Sequence, residues 1–132
     1  MDLRENPSDR KYTKEHEWVK VDGDVGIVGI TDFAQHSLTD IVFVELPKIG
    51  KQAEQFKPIA VVESVKSVSD VYAPVSGEAV EVNEKLTSNP AMVNQDPYGD
   101  GWILKIKLTN NDEMNNLMTK DEYDRYVHKS GS

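Results

Sequence analysis

The chain has 132 residues, 38% hydrophobic and 29% charged, which suits one globular domain able to bury a core without metals or disulfides. A formal net charge of −8 argues against nucleic-acid binding and favours docking on basic protein surfaces. Cysteine is absent, so disulfides, zinc–thiolate sites and thiol nucleophiles are excluded, and any sulfur chemistry would have to come from a cofactor.

No apolar run approaches the roughly 18 residues of a membrane span, and no secretory signal opens the chain. Asp2, Glu5 and Asp9 make the first residues a poor transit peptide, although one already removed would leave no trace. Residues 1–10 are polar and expected to be disordered or loosely attached. Tyr12 to Asp22 reads as a first strand, Asp22-Gly23-Asp24 as a turn, and Val25 to Ile30 as a buried strand. Thr31 suits an N-cap for a short helix running to Leu38. Ile41 to Leu46 is a strand ended by Pro47 and Gly50, and residues 51–58 read as a loop or irregular edge.

Ile59 to Val75 is the most distinctive stretch: two apolar, β-branched runs meet at Lys66, with Ser64, Ser67 and Ser69 near the centre. That pattern predicts a hairpin with Lys66 at its tip. Ala79 to Val82 resumes the strand pattern, and Asn83 to Pro90 is a polar connection with one helical turn. Turn formers between Asn94 and Gly101 deliver a strand from Trp102 to Leu108. Asn111 or Asp112 caps a turn, and Thr119 with Glu122 forms a capping box before Tyr123, Tyr126 and Val127. Ser130-Gly-Ser132 resembles an expression remnant, so residues 129–132 are set apart as a tail.

Many short strands with helices only at the rim predict an all-β fold, a barrel or sandwich. The segments VFVELPKIG and VYAPVSGEAV on either side of Lys66 hint at an internal duplication. His16, His36 and His128 lie far apart without ligand spacing, as scattered surface histidines do.

Lys66 has two readings on chemistry alone. One is a gatekeeper charge that keeps an apolar hairpin soluble. The other is an attachment point, which needs a long, exposed side chain on a rigid support. A Schiff-base lysine would instead need an apolar pocket, which a serine-flanked tip does not supply.

Glu63-Ser64-Val65-Lys66-Ser67, continued to Gly77, closely resembles the lipoyl-attachment segment of the glycine cleavage H proteins. His16-Glu17-Trp18, Gly29 to Asp32, Asp40 to Pro47, Glu81-Val82-Asn83 and the Asn94, Pro97, Tyr98, Gly101, Trp102 block are similar to that family in the same order. The biotin carriers flank their lysine with methionines, unlike Val65 and Ser67, and the lipoyl domains of oxo-acid dehydrogenases lack the His-Glu-Trp block.

The resemblance implies a lipoyl/biotinyl-like barrel-sandwich hybrid with short peripheral helices and a C-terminal helix, its carrier domain spanning 11–128. It implies lipoic acid in amide linkage to Lys66, on a protein that is a carrier and not an enzyme. Its implied partners are glycine decarboxylase (P protein), the tetrahydrofolate-dependent aminomethyltransferase (T protein) and dihydrolipoamide dehydrogenase (L protein). A lipoate ligase, or an octanoyltransferase with lipoyl synthase, would install the group. Glu17 and Asp70 are the implied carboxylates of a cleft for the loaded arm, and Glu63 an acidic mark read by the lipoylating enzyme. The implied compartment is the cytoplasm of a bacterium, or the mitochondrial matrix if a transit peptide has been removed.

Three positions depart from the family pattern: Thr39 and Phe56 stand where glycine is usual, and Ser67 where alanine is commoner. Three rival readings remain. They are a lipoyl relay donor for other complexes, a β-scaffold enzyme using Lys66 directly, and a purely structural binding module.

Overall fold

In the computed structural model, which describes residues 3–129, nine strands among those residues form two antiparallel sheets. The larger sheet has the order β1 (Lys11–Tyr12), β2 (Glu17–Asp22), β3 (Val25–Ile30), β9 (Leu104–Leu108), β8 (Gly77–Val82) and β5 (Gln52–Ala53). The smaller has β4 (Ile41–Glu45), β6 (Pro58–Ser64) and β7 (Val68–Tyr72), with β6 in the centre. The architecture is the expected mostly-β hybrid with short helices, built as two open sheets rather than a closed barrel. Val19, Val28, Val44, Val62, Val71 and Ile106 from both sheets bury in one core. Burying each such side chain is worth about 1.5–3 kcal/mol, which makes this the main source of stability.

Four short helices decorate the sheets: α1 (Asp32–Leu38), α2 (Lys85–Ser88), α3 (Met92–Gln95) and the C-terminal α4 (Lys120–Lys129). Thr31 caps α1 by accepting the Ala34 N–H at 3.2 Å, as the sequence predicts. The capping box of α4 also forms, with Thr119 N–H donating to Glu122 at 2.8 Å and Glu122 N–H to Thr119 Oγ1 at 3.2 Å. Tyr12, Trp18, Tyr123 and Val127 make a second apolar cluster beneath α4, where the Tyr12 and Tyr123 rings stack at 4.7 Å. Glu17, Trp18 and Val19 are consecutive and all buried, because β2 is covered on both faces. Gly29 is needed there: a Cβ on it would lie 2.5 Å from the Trp18 ring.

The structure differs from expectation in several places. Tyr12 to Asp22 is two strands, because a tight turn at Thr13–His16 folds β1 back onto β2. In that turn His16 N–H donates to Thr13 O at 3.2 Å and His16 takes a φ of 74°. Residues 51–58 contain β5, which pairs with β8 through Gln52 opposite Glu78 and Ala53 opposite Gly77. The last strand starts at Leu104 because Trp102 N–H is still bonded to Gly99 O. A second helical turn, α3, follows α2, and the 3-10 turn Asn111–Asn116 is capped by Asn110.

Within residues 3–10, polar side chains contact the body of the domain. Arg4 bonds Asp32 and Gln95, Asn6 bonds Asp124, and Arg10 lies 4.4 Å over the Trp18 ring. Residues 130–132 of the expected tail lie outside the described residues.

Candidate functional site

The β6–β7 hairpin forms as the sequence predicts, and its tip is Ser64-Val65-Lys66-Ser67. Ser64 organises it. Ser64 N–H donates to Ser67 O at 2.8 Å, and the buried Ser64 hydroxyl accepts from Lys66 N–H at 3.1 Å and Ser67 N–H at 3.0 Å. A hydroxyl that captures two successive amides is the serine version of a side-chain turn. Val65 N–H donates outward to Asp40 O at 3.0 Å, tying the tip to the segment between α1 and β4.

Lys66 is exposed on this tied turn, and its Nζ donates to Ser37 O near the end of α1 at 3.1 Å. A cation suits the carbonyl end of a helix. Amide formation would remove that charge and free the side chain. Val65 and Val68 beside it are 69% and 66% exposed, and Val42 and Phe43 across the sheet 50% each. An apolar collar left open around one lysine fits a surface that partners cover.

Glu63 is exposed on the outward face of β6, opposite Phe43 on one side and Val68 on the other. Asp70 is exposed on β7, opposite Val61, four residues beyond Lys66. At ~3.3 Å per strand residue that is ~13 Å along the chain. Asp70 lines an open groove of ≈ 730 Å³ with Glu45, Leu46, Val61 and the Lys48–Lys51 turn.

Glu17 lies elsewhere. It is 1% exposed, accepting the Thr13 hydroxyl on one oxygen and Tyr72 N–H on the other at 3.1 Å. Burial pushes its carboxyl up to about 7, against the lowering effect of those two bonds. Thr13 and Tyr72 also line a cleft of ≈ 470 Å³ with Tyr12, Glu15, Phe56 and Met118, so Glu17 sits behind that wall. Glu17 bonds the backbone N–H of Tyr72 on β7, two residues beyond Asp70. Glu17 and Asp70 do not line one cavity. His16 is likewise no surface histidine: its Nδ1 pairs with the Tyr123 hydroxyl at 2.7 Å beside Phe33, and burial holds it down at about 4.

Ser64, Thr13 and Asn94 matter to this geometry and carried no role in the sequence reading. Only Ser64 had a local signal, a hydroxyl two residues before a turn residue. The two departures from glycine are visible in the backbone: Thr39 has φ 64° and Phe56 φ 66°. Left-handed φ favours glycine, and threonine tolerates it poorly.

Among the described residues no group of metal-ligating side chains is present and no helix is long and apolar enough to cross a membrane. An exposed lysine on a braced hairpin, with exposed apolar side chains on the neighbouring strands, is the arrangement a carrier domain needs. The glycine cleavage H-protein family model matches residues 10–130. A glycine cleavage system H protein of Symbiobacterium thermophilum is 58% identical over 121 residues, 92% of this chain and 94% of that protein. One from Thermus thermophilus is 52% identical over 117 residues, 89% of this chain and 91% of the other. The crystal structure of a glycine cleavage system H protein from Mycobacterium marinum superposes with a TM-score of 0.82 at 38% identity, covering 96% of this chain and all of that one. The chain belongs to the glycine cleavage H-protein family, whose members are lipoyl carriers in glycine cleavage and not catalysts.

Proposed function

We propose that Lys66 carries lipoate in amide linkage and presents it in turn to the glycine decarboxylase, the aminomethyltransferase and the dihydrolipoamide dehydrogenase of the glycine cleavage system. The observation that carries this reading is the exposed primary amine of Lys66 on a turn braced by Ser64 and Asp40. The residues present fit the group, since an acylating enzyme needs an accessible amine held on a rigid support. When bound, lipoate supplies the thiol chemistry that a cysteine-free chain lacks, and with it carriage of an aminomethyl group.

The chain's own residues do the rest. Ser64 fixes the turn and removes the need for the partner enzyme to order it. The collar of Val42, Phe43, Val65 and Val68 offers apolar surface to whichever enzyme takes the arm. Glu63, at the foot of the turn, is the acidic mark for a lipoate ligase, or for an octanoyltransferase working with lipoyl synthase.

Glu17 and Asp70 serve a cationic amine. Asp70 meets it at the surface of β7, and Glu17 behind Thr13 and Tyr72 loses its proton as positive charge approaches. Excluding water there would protect a hydrolysable group. The functional unit is residues 11–128, acting in the bacterial cytoplasm or the mitochondrial matrix.

Reconstituted glycine cleavage with the P, T and L proteins tests the reading. Lys66→Arg, which cannot be acylated in this way, is expected to abolish glycine-dependent turnover while leaving the fold intact. Full activity of Lys66→Arg would overturn the carrier role.

A further inference from the structure

We infer that Asn94 is the positioning residue for the lysine-bearing turn, acting through the strained Thr39–Ile41 segment. Asn94 lies on α3, far from Lys66 in sequence, and its side chain is fully engaged with the link between α1 and β4. Its Oδ1 accepts Ile41 N–H at 2.9 Å, and its Nδ2 donates to Thr39 O and to Gln35 Oε1, both at 2.8 Å. These bonds grip the segment on both sides of Asp40. The carbonyl of Asp40 is the one that takes Val65 N–H, the residue before Lys66.

The segment needs a grip because Thr39 sits at φ 64°, ψ −147°. That is glycine territory, and a β-branched residue stays there only when its surroundings over-determine it. If the clamp is lost, Thr39 relaxes to an ordinary φ, Asp40 O turns away, and Val65, the residue before Lys66, loses its backbone tie to that segment. Asn94 is itself held: Gln35 Nε2 donates to Asp32 Oδ1 at 2.7 Å, and Arg4 N–H to Asp32 Oδ2 at 2.8 Å. A polar relay therefore runs from the N-terminal segment through α1 and α3 to the lysine turn.

Amide hydrogen exchange of the unmodified protein reads this directly. In Asn94→Ala the Val65 amide is expected to exchange about five- to tenfold faster, the equivalent of one net hydrogen bond, with the amides of central β6 unchanged. Asn94→Asp keeps the acceptor but not the two donors, and is expected to loosen Val65 as well. It serves if the alanine variant does not fold. In a Thr39→Gly background, where the backbone angle carries no strain, Asn94→Ala is expected to loosen Val65 less than twofold to threefold.

Unchanged Val65 exchange in both Asn94 variants, or equal loosening with and without Thr39→Gly, would overturn the inference. Exchange needs no lipoate, so this result stands apart from the carrier reading. A second readout does rest on that reading: with a lipoate ligase, Asn94→Asp is expected to raise KM for the protein several-fold with kcat unchanged, because the enzyme must order the turn on binding. A fall in kcat alone would count against positioning.

Discussion

Replacing Glu17 by glutamine isolates the energetic cost of a buried carboxyl. Glu17 is 1% exposed, and desolvation raises its pKa from an ordinary 4.5 to about 7. Between those values the folded protein keeps a proton that the unfolded chain has released, so stability falls as pH rises through the interval. At about 1.4 kcal/mol per pH unit, the interval amounts to about 3 kcal/mol. His16 acts in the opposite sense. Burial lowers it from 6.5 to about 4, so its contribution is present above 6.5 and is lost as pH falls through that range.

Over about pH 4.5–6.5 the two slopes oppose, and the wild type is expected to be nearly flat there and to weaken toward about pH 7. Glutamine is isosteric: its amide oxygen can accept Tyr72 N–H and its NH2 can donate to Thr13 Oγ1. Glu17→Gln should therefore fold and expose the His16 slope, with stability rising up to about pH 6.5 and level above it. Urea denaturation of both proteins from pH 4.5 to 8 gives the difference curve. A wild-type minus variant difference that does not change with pH would refute the reasoning.

Three further outcomes follow from the same geometry. Thr39→Gly removes a left-handed, β-branched residue and should stabilise by about 1 kcal/mol, visible as a melting temperature higher by about 3–6 °C. Gly77→Ala should cost on the order of 3 kcal/mol or prevent folding, because φ is 153° and a Cβ would fall 1.9 Å from Lys107 O; denaturant midpoints read it. Ser64→Ala leaves the amides of Lys66 and Ser67 without their acceptor, and should cost about 1 kcal/mol and slow ligase-dependent acylation several-fold in a timed mass assay.

Much of this fold was legible because local rules and tertiary structure agree. The β6–β7 hairpin shows in its two β-branched runs, the start of α1 in Thr31, and the start of α4 in the Thr119–Glu122 box. Lys66 at an exposed tip follows from the same pattern. What was not legible depends on distant partners. The turn at Thr13–His16 has no glycine or proline to announce it, and is stabilised by burial of Glu17 and His16 against α4 and β7. β5 is two residues long and exists because β8 offers it a partner.

The attachment residue could be read from sequence, but its surroundings could not. Glu17 looks like a surface acid in a polar stretch, and only the covering of β2 on both faces makes it a buried, proton-holding group. Asn94 reads as one more turn former, and its role appears only when α3 is packed against the end of α1. Thr39 and Phe56 stood out against the family pattern, and their backbone angles show that the usual glycine meets a real conformational demand.

Peptide mass spectrometry across Val61 to Val75, after co-expression with a lipoylating enzyme, tests the central claim most directly. The expected result is a single lipoyl adduct on Lys66, absent from Lys66→Arg. An unmodified Lys66 under those conditions would contradict it.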